Sequence, residues 1–318
     1  MKRPILVTGI PRCGTSWVGK MLDASGAVVY INEPLNDRHP PGRSPGVLAA
    51  PVQHRFQYIT GANELPFLEA FTETLGLRYH VMAELNENRS PRDLARMAKY
   101  WNSFVRGRVR GRRPLLDDPF AVFSTEWFAR RLDCQVVVVV RHPAAIAASR
   151  KRLGWRTDFR HLLNQPLLFE EWLHPFEGDM RAMLRKPDWL GESALLWRMI
   201  YHVVGALRER LRGMRIVRHE DLSLDPLSGY AELYAGLELP LTTRTGRVIE
   251  RSSTGGSHDA GHSWSVSVTG ASKTGFRPLD SRAHAVKWKT SLAVDEISRI
   301  RAATEDVANL YYRAADWS

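Results

Sequence analysis

The chain has 318 residues, 44% of them hydrophobic, two cysteines and a formal net charge of +11. That length can bury one large core or two small ones, and a single enzyme-sized domain over residues 1–318 is the expectation. Two cysteines exclude a disulfide framework, no Cys/His spacing has the form of a metal site, and the longest apolar runs, such as CQVVVVV (134–140), fall far short of the ~20 residues of a membrane helix. The opening Met-Lys-Arg runs straight into a strand-like segment with no signal-peptide pattern, so a cytoplasmic protein without membrane insertion is expected. The positive charge raises a nucleic-acid partner, but only RGRVRGRRP (106–114) is densely basic and no nucleic-acid motif accompanies it. The run reads as solvated surface or as a rim attracting polyanions, and a basic field also suits a small, multiply charged ligand.

Apolar runs alternate with helix-period segments, which predicts an α/β fold of three layers with a central parallel sheet flanked by helices. PILVTG (4–9) is the first strand, feeding a helix over 15–24. Further strands are predicted at RYHVMAEL (78–85) and RPLLDD (113–118), with helices over 90–105 and 123–132. QVVVVVR (135–141) is the clearest strand, because an unbroken valine run fits a position covered on both faces, and it is expected at the sheet centre. A core helix follows over 189–211, where apolar residues from Leu196 to Leu211 keep helical spacing. Then come a strand and short turn at 214–222 and a C-terminal helix over 292–312. The segment 252–276, rich in Ser, Gly, Thr and His and without period, reads as a lid loop.

Within VTGIPRCGTSWVGKML (7–22), Gly9 and Gly14 have the spacing of a phosphate-binding P-loop and Ser16 stands where its final hydroxyl belongs, but Thr15 replaces the lysine. Strand, turn and helix would aim the amides of Cys13 to Trp17 at an anion, with Thr15 and Ser16 adding hydroxyls; a plain glycine turn is the structural alternative. A nucleotide kinase also needs a lysine and a magnesium ion held by a strand-end aspartate. The valine strand ends in Arg141 instead.

These residues resemble the PAPS-dependent sulfotransferases, which transfer a sulfuryl group from 3′-phosphoadenylyl sulfate (PAPS) and leave PAP. The family's phosphosulfate loop has the form P-K/R-S/C-G-T-T/S-W, and Pro11, Arg12, Cys13, Gly14, Thr15, Ser16 and Trp17 match it in order. The basic residue has moved into the loop as Arg12. Its second motif, a strand ending in Arg, then x-Pro and a Ser eight residues after the Arg, is matched by Arg141, Pro143 and Ser149. IVRHEDLSLDP (216–226) is similar to a segment of many bacterial members, VKWKTSL (286–292) to a region near the cofactor, and residues 150–176 to an acceptor-side segment of a bacterial subset. The resemblance implies that Arg12 stabilises the leaving phosphate, that Arg141 and Ser149 hold the 3′-phosphate, and that transfer to a small organic or sugar hydroxyl, or an amine, needs no metal. A sulfuryl group carries less charge than a phosphoryl group, so amides and one or two cations suffice for it. A P-loop kinase and a non-catalytic PAP-binding module are the alternatives.

Such a transfer is helped by a base near the attacking proton. Glu33, after the first helix and a short strand, can return to the loop, and in carbohydrate-modifying members a Glu at a similar distance is the base. Asp117 or Asp118 in LLDDP is the rival, unless the pair caps the next helix. Small-molecule members carry a His where Asp117 stands, which argues against a phenol-type acceptor. His54, His142 and His258 are weaker candidates. Tyr58, Phe67, Trp155, Phe159, Phe169 and Trp172 are candidates for an acceptor wall, and Trp288, flanked by Lys287 and Lys289, for stacking on adenine.

Overall fold

The computed structural model describes residues 2–37, 52–87, 89–253 and 281–318. Five strands, β1 (Ile5–Gly9), β2 (Val28–Asn32), β3 (Arg113–Asp117), β4 (Gln135–Val140) and β5 (Arg215–Arg218), form one sheet in the order β2-β3-β1-β4-β5. All four pairings are parallel. β1 is buried at all five positions and β4 at every position but Gln135, as expected of strands covered by helices on both faces. The predicted α/β architecture is the one found. β1, rather than β4, is the middle strand, because the chain leaves β1 toward β2 on one side and leaves β3 toward β4 on the other. That crossing opens a crevice at the carboxyl ends of β1, β3 and β4, where ligands of such sheets bind.

The helix Trp189–Arg210 pins this crevice from one side. Its Tyr201 is fully buried, donates its hydroxyl to Val139 O at 2.9 Å and accepts from Ile10 N at 3.5 Å, tying the ends of β4 and β1 together. Its Trp197 donates to Arg141 O at 2.8 Å. Each aromatic of this size takes about 150–250 Å² out of water, roughly 4–6 kcal/mol of gross burial energy at ~25 cal/mol/Å². The strand ends are therefore held by a helix that buries thirteen of its 22 residues.

Two further sequence expectations are corrected. Residues 78–85 form no strand: Tyr79 packs edge-on against Phe104 and a helix begins at Val81, with Glu84 N bonded to His80 O. The apolar alternation there is short, and Met82, Ala83, Glu84 and Leu85 are all good helix formers. The second concerns residues 214–222, where β5 stops at Arg218 and the helix His219–Leu224 follows at once. The remaining helices shift only at their ends: Thr15–Asp23 (α1), Pro91–Val109, Trp189–Arg210 and Val294–Ala308, while the 123–132 helix is Thr125–Arg131 preceded by a 3₁₀ turn at Pro119–Ser124. Of the expected lid, residues 254–276 lie outside the described residues, as does His258; Ser252 and Ser253 end the helix Thr243–Ser253. No helix among the described residues is long and apolar enough to cross a membrane.

β1 ends at Gly9 with φ +149°, and a Cβ there would stand 2.4 Å from Val139 O and 2.7 Å from Cys13 Sγ. The backbone of β4 cannot yield. Gly9→Ala is expected to cost about 1–3 kcal/mol or more through overpacking, read as a fall in the urea midpoint, whereas Gly61→Ala, with open space around the new methyl, leaves the midpoint nearly unchanged.

Candidate active site

The loop between β1 and α1 is built by alternating backbone hands. Arg12 has φ +81° and Gly14 φ +110°, an alternation that turns successive amides toward one concavity. Gly14 cannot carry a side chain there, since a Cβ would lie 2.6 Å from Cδ2 of His219. The first intrahelical bond runs from Val18 N to Gly14 O, so the amides of Gly14, Thr15, Ser16 and Trp17 head the helix without intrahelical acceptors. Cys13 departs from the expectation. Its amide is used on Ile10 O at 3.0 Å, and its thiol is fully buried beside Tyr201 and pushed up to about 12 by that burial. Cys13 is a packing residue.

Arg12, Arg141 and Ser149 come together. Arg141, just past β4, is 8% exposed and donates from Nη1 to Arg12 O at 3.0 Å and from Nη2 to His284 O at 3.3 Å. Arg12 Nε donates to Ser149 Oγ at 3.3 Å, joining the loop to the helix Pro143–Leu153. Both guanidiniums are held below the ordinary arginine range: burial dominates, Arg141 and Arg152 repel Arg12, and Glu220 is the largest charge offsetting the effect at Arg141. Arg141, buried, and Arg12, half-buried, stand together, and neither makes an ion pair with a carboxylate among the described residues. Such an arrangement is complementary to an oxyanion with more than one negative charge.

Sequence reasoning missed two contributors. Arg152 lies three residues after Ser149, one helical turn along the same face, a spacing that was readable. His284 faces Arg141, Lys287, Arg152 and Arg12, which with burial push its imidazole down to about 4. Nothing in its sequence surroundings marks it.

The three acidic candidates separate cleanly. Asp118 is fully buried and accepts from Leu35 N at 2.6 Å and Phe120 N at 2.9 Å, capping the 3₁₀ turn. Asp117, also fully buried, lies beneath the loop and is closed off by the Tyr30 hydroxyl; burial raises it to about 6, with the Thr15 and Ser16 hydroxyls opposing. A strand-end aspartate near the loop hydroxyls thus exists, at the end of β3 rather than β4. Glu33 follows β2 with φ +46°, its amide bonded to Asp117 O at 2.7 Å and its Oε2 accepting from Asn36 at 2.6 Å. It is partly exposed, and burial raises its carboxyl above the usual range against the pull of Asn36, Arg55 and Arg12. Of the three, Glu33 is the carboxylate open to the crevice and acting on Arg12.

Of the remaining candidates, Lys287 acts on His284 beside Arg141, and the others do not converge on this crevice. Trp288 is 4% exposed and stacks on His142 at 4.5 Å and 8°, so one face of its ring is already covered, and Lys289 donates to Ser318 O. His142 is itself enclosed by Trp288, Tyr312 and Trp317 and pushed down to about 3 by burial. Tyr58, Phe67, Phe159 and Trp172 are buried, while Trp155 and Phe169 are partly exposed. Tyr58 donates to Glu171 at 2.5 Å and lines a cavity of about 550 Å³ with Glu64, Phe123, Trp127 and Glu171, to which the loop, Glu33, Arg141 and Ser149 contribute nothing. His54 stacks edge-on with His161. Among the described residues no group of three or more His, Cys, Asp or Glu is arranged to hold a metal ion.

Comparison with known proteins bears on the family and the fold. The family model described as the sulfotransferase family matches residues 4–243. No curated protein matches the chain. Among solved structures, the sulfotransferase domain from the curacin biosynthetic pathway is 14% identical, covers 98% of this chain and 99% of its own, and superposes with a TM-score of 0.51. The sulfotransferase domain of the Synechococcus PCC 7002 olefin synthase is 15% identical over 98% of this chain and 97% of that one, with a TM-score of 0.48. For the Mycobacterium avium sulfotransferase STF9 the values are 15%, 98%, 77% and 0.44. At such identities the first of these likenesses speaks for the fold alone, whereas the family match spans Arg12, Glu33, Arg141 and Ser149: the chain belongs to the sulfotransferase family and is a sulfotransferase enzyme.

Proposed function

We propose that this enzyme, acting as one domain over 1–318, takes the sulfuryl group from PAPS and passes it to a hydroxyl or amine of a small organic or carbohydrate acceptor. The observation that carries the reading is the joining of Arg12, Arg141 and Ser149 at the strand ends, one buried and one half-buried cation beside a hydroxyl. The residues fit the donor: the amides of Gly14, Thr15, Ser16 and Trp17 suit its 5′-phosphosulfate, and Arg141 with Ser149 suits its 3′-phosphate. PAPS supplies the sulfuryl group and an anionic leaving group. Arg12 stabilises the charge that grows on the departing phosphate oxygen, and the preset loop amides need no reorganisation to do the same. Glu33 takes the acceptor's proton. Pro11 and Cys13 shape the loop, and Trp17 supplies an amide from the first helical turn.

Asp117, near the Thr15 and Ser16 hydroxyls, is the observation that favours a kinase instead. Against it, Asp117 is closed by Tyr30, and Thr15 stands where the phosphate-binding lysine belongs. Magnesium dependence separates the two readings. Incubation with PAPS and a mixed acceptor library, followed by mass spectrometry in EDTA, should yield products heavier by one sulfuryl group; phosphorylated products from ATP and magnesium would favour the kinase.

On an acceptor found in that way, Arg12→Ala is expected to slow single turnover at saturating PAPS far more than it weakens PAPS binding, because its charge matters most as the leaving oxygen becomes anionic. A variant that only raises Kd would make Arg12 a ground-state contact.

Glu33→Gln should lower kcat by about 10²–10⁴ with PAP affinity nearly unchanged. The pH profile adds a sign. A base must be ionised, and burial raises Glu33 above its ordinary value, so wild-type activity should fall as pH drops through a limb lying above the usual glutamate range. Asp117→Asn and Asp118→Asn, checked for folding by circular dichroism, are expected to lose stability and keep that limb. A folded but inactive aspartate variant beside an active Glu33→Gln would reassign the base.

A further inference from the structure

Arg150 follows Ser149 on the Pro143–Leu153 helix, and a one-residue advance turns its side chain about 100° from the phosphate-facing side. It is 4% exposed. Its Nε donates to Ser193 Oγ at 3.2 Å and its Nη2 to Thr157 Oγ1 at 2.5 Å, while Nη1 has no partner among the described residues. No carboxylate among them pairs with it. The acid whose charge acts on it, Glu192, is committed to Arg156 at 2.9 and 2.6 Å and to Thr157 N at 3.0 Å.

Arg55 comes to the same segment, its backbone amide donating to His161 Nδ1 at 3.2 Å, four residues after the Thr157 that Arg150 contacts. Its guanidinium lies 4.6 Å over the ring of Phe120, whose backbone follows directly from the end of β3, and its Nη1 reaches Asp37 at 3.3 Å. Arg55 holds Glu33 down and repels Arg150, so its charge is felt at both. The charges acting on Arg150 are those of Arg55 and Glu192, and none of Arg12, Arg141 or Arg152 is among them. Arg12, Arg141 and Arg152 thus act on one another around Ser149, Arg55 acts on Arg150, and Glu33 feels both Arg12 and Arg55. Two hydroxyls do not neutralise a buried guanidinium, and a second cation beside it compounds the repulsion.

We propose that Arg150, with Arg55 beside it, forms an anion subsite on the acceptor side of the crevice, so that the acceptor carries a carboxylate or comparable oxyanion in addition to the group that is sulfated. This rests on the reading of Glu33 as the base and of the Arg12–Arg141 crevice as the donor site. Arg150 fixes the charged end of the acceptor and Glu33 meets its nucleophilic end.

The test uses matched acids and neutral analogues, 4-hydroxybenzoate against 4-hydroxybenzamide and glucuronate against glucose, titrated by calorimetry into full-length protein saturated with PAP. At least one acid should bind ten-fold or more tighter than its neutral partner. Arg150→Gln should abolish that preference, Arg150→Lys should restore part of it, and both should keep the PAP affinity and the circular dichroism of the wild type. Equal binding of acid and neutral analogue, no binding of either acid, or a preference that survives Arg150→Gln overturns the subsite. Failure of PAP to bind strikes the donor reading instead, and the same pairs titrated into the unliganded protein then decide the subsite.

Discussion

One buried guanidinium organises the crevice. Arg141 reaches from the end of β4 to the loop through Arg12 O and to the C-terminal part of the chain through His284 O, and its own carbonyl is held by Trp197 of the core helix. Taking a cation out of water costs several kcal/mol unless a counter-charge accompanies it, and here carbonyl dipoles and the more distant Glu220 do that work incompletely. Arg12 faces the same deficit, deepened by Arg141 and Arg152. The fold thus stores a charge imbalance at the crevice that an incoming anion relieves. A ligand bound there stabilises the folded state by mass action, about 2.7 kcal/mol at one hundred times its Kd.

Much of this was legible in the sequence, for reasons that differ by residue. β1, its loop and α1 announce themselves because a buried strand, a glycine turn and a helix N-terminus each leave a local mark, and Arg141 because it ends the valine strand, whereas Ser149 was found through the family resemblance. The 78–85 segment misled because a short alternating run of good helix formers has no decisive period, and Tyr79 is settled by packing on Phe104. The valine run correctly marked a strand covered on both faces, but its place in the sheet depends on the crossover, which the run itself does not encode. Cys13 matched a motif letter, yet its amide and thiol serve the turn and the core. His284 enters the crevice through tertiary packing alone.

The acidic residues show how environment divides one chemistry into separate tasks. Asp118 spends its carboxylate on two backbone amides, Asp117 is sealed between Tyr30 and the loop hydroxyls, and Glu33, on a left-handed backbone turn, stays partly open beside Arg12 and Arg55. Burial raises all three. Glu33 alone of the three is partly open, and its left-handed backbone leaves the carboxylate under the influence of Arg12 and Arg55, as the proposed role of base requires.

The central claim is that the Arg12–Arg141–Ser149 crevice is charged to receive a nucleotide bearing a 3′-phosphate. Calorimetry of PAP against AMP in EDTA measures that most directly. PAP should bind tighter by the worth of one or two charge-assisted hydrogen bonds, about 1.5–3 kcal/mol each, and Arg141→Ala should bring the two affinities together. Equal affinities for PAP and AMP in the wild-type protein, or binding that requires magnesium, would contradict it.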